Sequence, residues 1–177
     1  MFSKMINNFL HRLDVKLTIY YTVLVLLIAV VLGGFFVYRL QHNLLKQVEN
    51  LLHDETHELL KEIEREADVI QACKIFESSI ANRKFYPVYF RVIDTSGNVL
   101  YASQDVSKTS FPPLKNKIKY SYTFKKPGRK YPFRLYEEKY PTNNSSGLTI
   151  QIATETKQIE NIMENVYDNI LMATFIL

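Results

Sequence analysis

Two histidines four residues apart, His53 and His57, are the pair in this sequence best spaced for chemistry. On one face of a helix that spacing sets two imidazoles side by side, where they can share a metal ion. Glu49 lies one turn earlier within reach of the same face, and the sequence names no third ligand. Two solvated histidines would give the same spacing. Cys73 is the sole cysteine, so no intrachain disulfide forms, and a lone thiol of this kind packs as a small apolar residue. Beyond His57 no serine, cysteine or carboxylate has a histidine beside it, which removes the support for a hydrolase. No catalytic residue and no cofactor is assigned.

Charge offers a second kind of chemistry. The chain carries a net charge of +4, unevenly spread. Leu40 to Ala81 holds four basic and nine acidic residues, and Lys108 to Lys139 holds ten basic residues against Glu137 and Glu138. These are two solvated faces that attract one another, or the second is a cationic patch for an anionic ligand. On the second reading Lys125, Arg129 and Lys130 are candidate contacts, with Arg91 and Tyr101 on a neighbouring hairpin. Lysine alternating with tyrosine between Lys117 and Lys125 invites a nucleic-acid reading. On a strand the tyrosines take one face and the lysines the other, so the rings cannot stack bases beside the cations, and no nucleic-acid partner is expected.

The elements that position these residues start with Leu17–Tyr38, which has no charged residue in 22 positions. As a helix it is about 33 Å long, enough to cross a hydrocarbon core of about 30 Å. Only a helix satisfies its own backbone there, and Tyr20, Tyr21 and Tyr38 stand near its ends, where amphipathic rings favour the interface. Lys4, Arg12 and Lys16 before it, against Arg39 and Lys46 after it, place the N-terminus in the cytoplasm and the following domain outside. A cleaved signal peptide is the rival, with Val31 and Gly33 as small residues before a cut. The apolar core runs past that point through Phe35–Phe36–Val37 and exceeds the usual length. The expected organisation is a cytoplasmic lead over 1–16, a transmembrane helix over 17–38, an extracytoplasmic domain over 39–168, and the start of a truncated second span over 169–177.

Arg39 to about Asn82 lacks proline and glycine, and its apolar residues recur at three and four. Leu45, Val48, Leu52, Leu59, Ile63 and Ile70 form one stripe, which predicts a long membrane-proximal helix seeking a partner: a second copy or another helix of the domain. From Pro87 the period changes to two. Val88–Ile93 and Val99–Ala102 read as a hairpin around the turn residues Asp94–Asn98. Ile118–Lys125 reads as a strand with one buried and one wet face, followed by the turn Pro127-Gly128-Arg129. Tyr131–Tyr140 and a strand marked by Leu148, Ile150 and Ile152 complete a small antiparallel sheet of five strands. A helix capped by Thr154 then carries Ile159, Ile162, Met163, Val166 and Ile170 towards the closing apolar run. The fold class is α+β.

This order resembles the N-terminal input half of membrane-bound two-component sensor histidine kinases, in particular the heavy-metal-sensor-kinase group. Arg12-Leu13-Asp14-Val15-Lys16-Leu17-Thr18-Ile19-Tyr20-Tyr21-Thr22 is similar to that group's entry into its first span. Leu44–Leu52 is similar to the helix that follows, Arg91–Leu100 to the sensor hairpin, and Ile150-Gln151-Ile152-Ala153 to the run into the second span. The resemblance implies a PAS-like, extracytoplasmic sensor domain in the inner membrane. That domain would dimerise through its membrane-proximal helices and detect a small ligand or metal ion. Thr56-His57-Glu58-Leu59 resembles the family's phosphoacceptor box, but Leu60, Lys61 and Glu62 stand where arginine, threonine and proline are expected. No nucleotide-binding segment follows, so this chain alone cannot autophosphorylate. The competing expectation is a membrane-anchored envelope protein with a binding role and no kinase region.

Overall fold

The structure, a computed structural model, describes residues 13–66, 68–81, 86–104, 111–115, 118–141 and 147–176. Its elements are α1 (Leu13–Arg65), α2 (Val69–Ile80), β1 (Val88–Ile93), β2 (Val99–Ala102), β3 (Lys119–Phe124), β4 (Phe133–Tyr140), β5 (Leu148–Glu155) and α3 (Lys157–Ile176). The chain divides into two compact units, Met1–His42 with Val166–Leu177, and Asn43–Asn165. The stretch Asn143–Ser146, a polar loop by its sequence, lies outside the described residues.

In the first unit, the apolar run of α1 exposes nearly all of its large side chains, from Leu17 through Val30 to Tyr38. No buried neighbour explains them, and α1 is the one described helix long and apolar enough to cross a membrane by length and composition. The described part of α3 does not meet that measure by itself.

In the second unit, α1 buries one stripe: Val48, Leu52, Thr56, Leu59 and Ile63, at the expected spacing of three and four. Full burial of a leucine such as Leu52 or Leu59 contributes roughly 1.5–3 kcal/mol. The stripe does not continue unbroken to Asn82. The helix stops at Arg65, and a new one begins at an extended Asp68, whose carboxylate accepts from the Ile70 amide at 2.9 Å. Asp68 serves as an N-cap, so the local bond outcompetes helix continuation. The restart changes the phase: Ala72, Cys73, Phe76 and Ile80 are buried, whereas Ile70 is exposed.

The five strands form one antiparallel sheet in the order β2-β1-β5-β4-β3. The first hairpin turns where the sequence places it. Gly97 takes φ +88°, and Asp94 accepts from the Asn98 amide at 2.8 Å and from the Ser96 hydroxyl at 3.2 Å. These bonds, the Asn98 amide first, hold the Asp94 carboxyl below its ordinary range. Gly128, at φ +79°, makes the turn between β3 and β4.

Two expectations are corrected: where β3 begins and which residue precedes α3. The central strand β5 is buried on both faces, because alternate residues such as Ile150 and Ile152 on one side and Gln151 and Ala153 on the other are all enclosed. The alternation expected for Ile118–Lys125 is thus a property of β3, where Lys119 and Thr123 are exposed and Tyr120, Tyr122 and Phe124 half-buried, and not of β5. β3 begins at Lys119, leaving Ile118 79% exposed. Thr154 also proves to be a strand residue whose hydroxyl donates to the Pro87 carbonyl at 2.9 Å. Thr156 precedes α3 instead: its carbonyl accepts from Glu160 and its hydroxyl donates to Pro132.

The sheet register separates two sets of side chains. Phe90, Val92, Ile150, Ile152, Tyr136 and Glu138 share one face, since Phe90 opposes Ile152, Ile152 opposes Tyr136, and Ile150 opposes Glu138. Phe76 of α2 meets this face edge-on to Phe90, at 5.2 Å between centroids. The opposite face carries Tyr89, Arg91, Gln151, Ala153, Leu135, Glu137 and Tyr122, with Phe111 packed onto Leu135 and Ala153.

Candidate metal centre

His53 and His57 stand beside the buried stripe of α1, each half-buried. Their Nε2 atoms are 3.2 Å apart, so in the neutral pair one ring donates and the other accepts. The facing element is β4, which at its period of two presents Tyr136, Glu138 and Tyr140 on one side. His53 packs edge-on against Tyr136 at 5.6 Å, and His57 against Tyr140 at 6.0 Å. Glu138, between the two tyrosines, brings a carboxylate oxygen to the histidine pair. One ligand atom from each of His53, His57 and Glu138 lies within 4.8 Å of the other two. This is the one such group of three among the described residues.

The glutamate is held in place. Tyr136 and Tyr140 both donate their hydroxyls to Glu138 Oε2, each at 2.7 Å. Burial, the largest single influence, pushes the Glu138 carboxyl up. The two tyrosine hydrogen bonds, then the charges of Lys119 and His53, outweigh it and leave the group below its ordinary range. The same contacts act oppositely on Tyr136 and Tyr140: burial first, then the bond to an anion, pushes both phenols well up. Lys119 is the cross-strand neighbour of Glu138, and its ammonium lies over the Tyr136 ring at 5.5 Å. Asp54 Oδ1 stands 3.5 Å from His53 Nδ1, on the ring edge away from His57.

Glu49, the acid that the sequence places near the histidines, is engaged elsewhere. Arg134 Nη2 donates to Glu49 Oε2 at 2.8 Å and to the Ser121 hydroxyl at 3.1 Å, while Nη1 donates to Thr123. The third potential ligand is therefore Glu138, 85 residues beyond His53. Spacing along the chain gave no sign of it. The one available signal was the alternation Tyr136, Glu138, Tyr140, a carboxylate flanked on its own strand face by two phenols.

Comparison with protein families, with curated proteins and with solved structures returns no match.

The other sequence candidates take separate places. Tyr101 stacks on Phe90 at 5.7 Å and donates a hydrogen bond to Glu77 of α2. Burial, then that bond, pushes its phenol up. Its role is to tie α2 to β2. Lys125, Arg129 and Lys130 are exposed around the Gly128 turn, with the Lys130 ammonium 5.0 Å over the Tyr131 ring. Arg91, half-buried, belongs to a polar row on the sheet face away from the histidines. Its Nε donates to Gln151 Oε1 at 2.6 Å, and Gln151 Nε2 donates to Glu137 Oε2 at 2.6 Å. Arg91 Nη2 also donates to the Pro112 carbonyl at 2.9 Å, and the guanidinium lies over Phe111 at 5.1 Å. Burial lowers the Arg91 pKa, and the charge of Glu137 opposes that shift. Gln151 and Glu137 are both fully buried. Sequence reasoning missed this row because its members lie on three strands and meet only through the register.

Proposed function

We propose that this chain is the signal-input portion of a membrane-bound two-component sensor histidine kinase. The run Leu17–Tyr38 is its transmembrane helix, and the five-stranded sheet with its helices is an extracytoplasmic, PAS-like sensor domain. One observation carries the reading: a single unbroken helix, α1, bears both an unburied apolar run long enough to cross a membrane and a buried stripe in the sheet domain. The strand order, with the last strand at the centre of the sheet, supports the PAS-like expectation. The apolar residues closing α3 support a second span, and the domain acts as a homodimer through α1. A stimulus that binds one packing of α1 on the sheet better than another shifts that equilibrium, and the helix carries the shift to the membrane. The phosphoacceptor and ATP-binding regions are not in this sequence and belong to the partner region that receives the signal.

The test joins the full chain in frame to the linker and catalytic region of a sensor kinase and reads autophosphorylation in membranes. Output is expected to change when residues 86–155 are deleted and when Phe90→Ala loosens the core under α2. A chimera whose phosphorylation ignores both changes overturns the reading and leaves a membrane-anchored binding protein.

A further inference from the structure

We infer that His53, His57 and Glu138 form a site for one divalent transition-metal ion of the zinc class, seated between α1 and β4 with a fourth position open to water or ligand. The inference deepens the sensor reading and depends on it only for the consequence in signalling.

The first support is the nitrogen separation. Two nitrogens bound at 2.0–2.1 Å to a tetrahedral ion stand about 3.3 Å apart. At right angles, as in square-planar or octahedral sites, the same bonds set them about 2.9 Å apart. The observed 3.2 Å lies close to the tetrahedral edge. Glu138 must close from within 4.8 Å to about that edge length, a movement within the reach of its side-chain torsions. The second support is the donor set. Two imidazoles and a carboxylate suit zinc-class ions. The site has no thiolate or thioether for Cu(I), and too few oxygens for Ca2+ or Mg2+.

The third support is the surrounding shell. Both tyrosine hydroxyls bond Oε2 of Glu138, so an ion taken on Oε1 leaves them in place. Asp54 stands at the Nδ1 edge of His53, where a carboxylate favours the tautomer that leaves Nε2 to the ion. The edge-on tyrosine rings constrain both imidazole planes. A bound ion would join a helix and a strand far apart in the chain, and so favour the packing in which α1 lies on β4. In the sensor reading, that is the input event.

The test uses the full chain in detergent micelles, purified without a histidine tag and stripped with a chelator. Zn2+ is titrated by calorimetry, with Co2+ as an optical stand-in. One ion per chain is expected, with the intense visible bands of four-coordinate Co2+. His53→Ala and His57→Ala each weaken binding at least about tenfold, and Glu138→Gln weakens it by about tenfold. His42→Ala, the remaining described histidine, leaves affinity unchanged. Near-ultraviolet circular dichroism without metal checks that each variant is folded. Glu138→Gln keeps shape and a hydrogen-bond acceptor, so it decides the matter if a histidine variant does not fold. No Zn2+ binding by the wild type, or wild-type affinity in the doubly substituted histidine variant, overturns the site. Zn2+ binding combined with a chimera that ignores sheet perturbation leaves the metal centre standing and removes the sensor reading. A responsive chimera without Zn2+ binding does the reverse.

Discussion

Replacing Gln151 with leucine removes the middle of the Arg91–Gln151–Glu137 row and keeps the volume nearly constant. The substitution deletes two hydrogen bonds of 2.6 Å, one from Arg91 Nε and one to Glu137 Oε2. Both lost partners are charged, and Glu137 is fully buried, left among the described residues with the Lys115 amide at 3.5 Å on that oxygen. Its other oxygen, Oε1, has no hydrogen-bond partner among the described residues. Hydrogen bonds to charged groups contribute about 1.5–3 kcal/mol each, so losing two, Gln151→Leu should destabilise the sheet domain by about 3–6 kcal/mol. For a unit of this size, that corresponds to a fall of roughly 10–20 °C in Tm. The chain has no tryptophan and 12 tyrosines, so the melt is best followed by tyrosine near-ultraviolet circular dichroism of the full chain in micelles. A partner experiment separates the polar row from simple packing. The triple variant Arg91→Met, Gln151→Leu, Glu137→Leu leaves no charge stranded and should regain most of the loss, because a buried ion network contributes little net stability over apolar residues of similar volume. A loss below about 1 kcal/mol in the single variant, or a triple variant worse than the single one, would refute this account of the row.

Three further outcomes follow from local geometry. Cys73 is fully buried and its thiol is pushed up to about 12, by burial first and then by Glu77 and Asp68; iodoacetamide should therefore leave the folded chain unmodified at pH 8 and label it once unfolded. Gly97→Ala, at φ +88° with open space around the new methyl, should lower stability by about 1 kcal/mol through backbone strain alone, as read from the same melt. Glu49 and Glu138 both ionise below their ordinary value of 4.5 in the fold, so the stability they contribute is present above that value and is lost as the pH falls through their folded pKa. For Glu49, burial raises the pKa, but the Arg134 and Ser121 bonds and the Arg134 and Lys119 charges prevail. Arg134→Met should flatten the fall in Tm between pH 6 and pH 3, and an unchanged pH profile would remove Glu49 from the acid response.

The periodic parts of the fold were legible because burial acts on single elements. The stripe Val48, Leu52, Leu59, Ile63 and the hairpin at Asp94–Asn98 needed only local spacing and turn chemistry. The break at Asp68 was written in the sequence as a cap, but an unbroken apolar period hid it. The sites were half-legible. His53 and His57 share a helix, so spacing revealed them; Glu138 reaches them through a strand whose partner helix no local pattern identifies. The polar row Arg91–Gln151–Glu137 needs the register of three strands, and an isolated sequence gives each of those residues the look of a solvated polar side chain.

The adjacent carboxylates Glu137 and Glu138 show how tightly β4 must be registered. Neighbouring strand residues point to opposite faces, so Glu137 enters the polar row and Glu138 faces the histidines. A slip of one residue would exchange the two carboxylates without changing the charge on either face, so charge at that position cannot set the register. The neighbours set it. The same slip would turn Leu135 out of its contact with Phe111 and Ala153, and would separate Tyr136 from His53 and Ile152. The register is thus fixed by apolar and aromatic packing, and the paired glutamates use it. An ion that moved Glu138 would act on a backbone whose next side chain is anchored through Gln151 to Arg91 on β1. The proposed metal site and the polar row would therefore be two ends of one mechanical element. A substitution such as Gln151→Leu should alter Zn2+ affinity from the opposite face of the sheet, whereas Asp94→Ala, in the distant hairpin turn, should not.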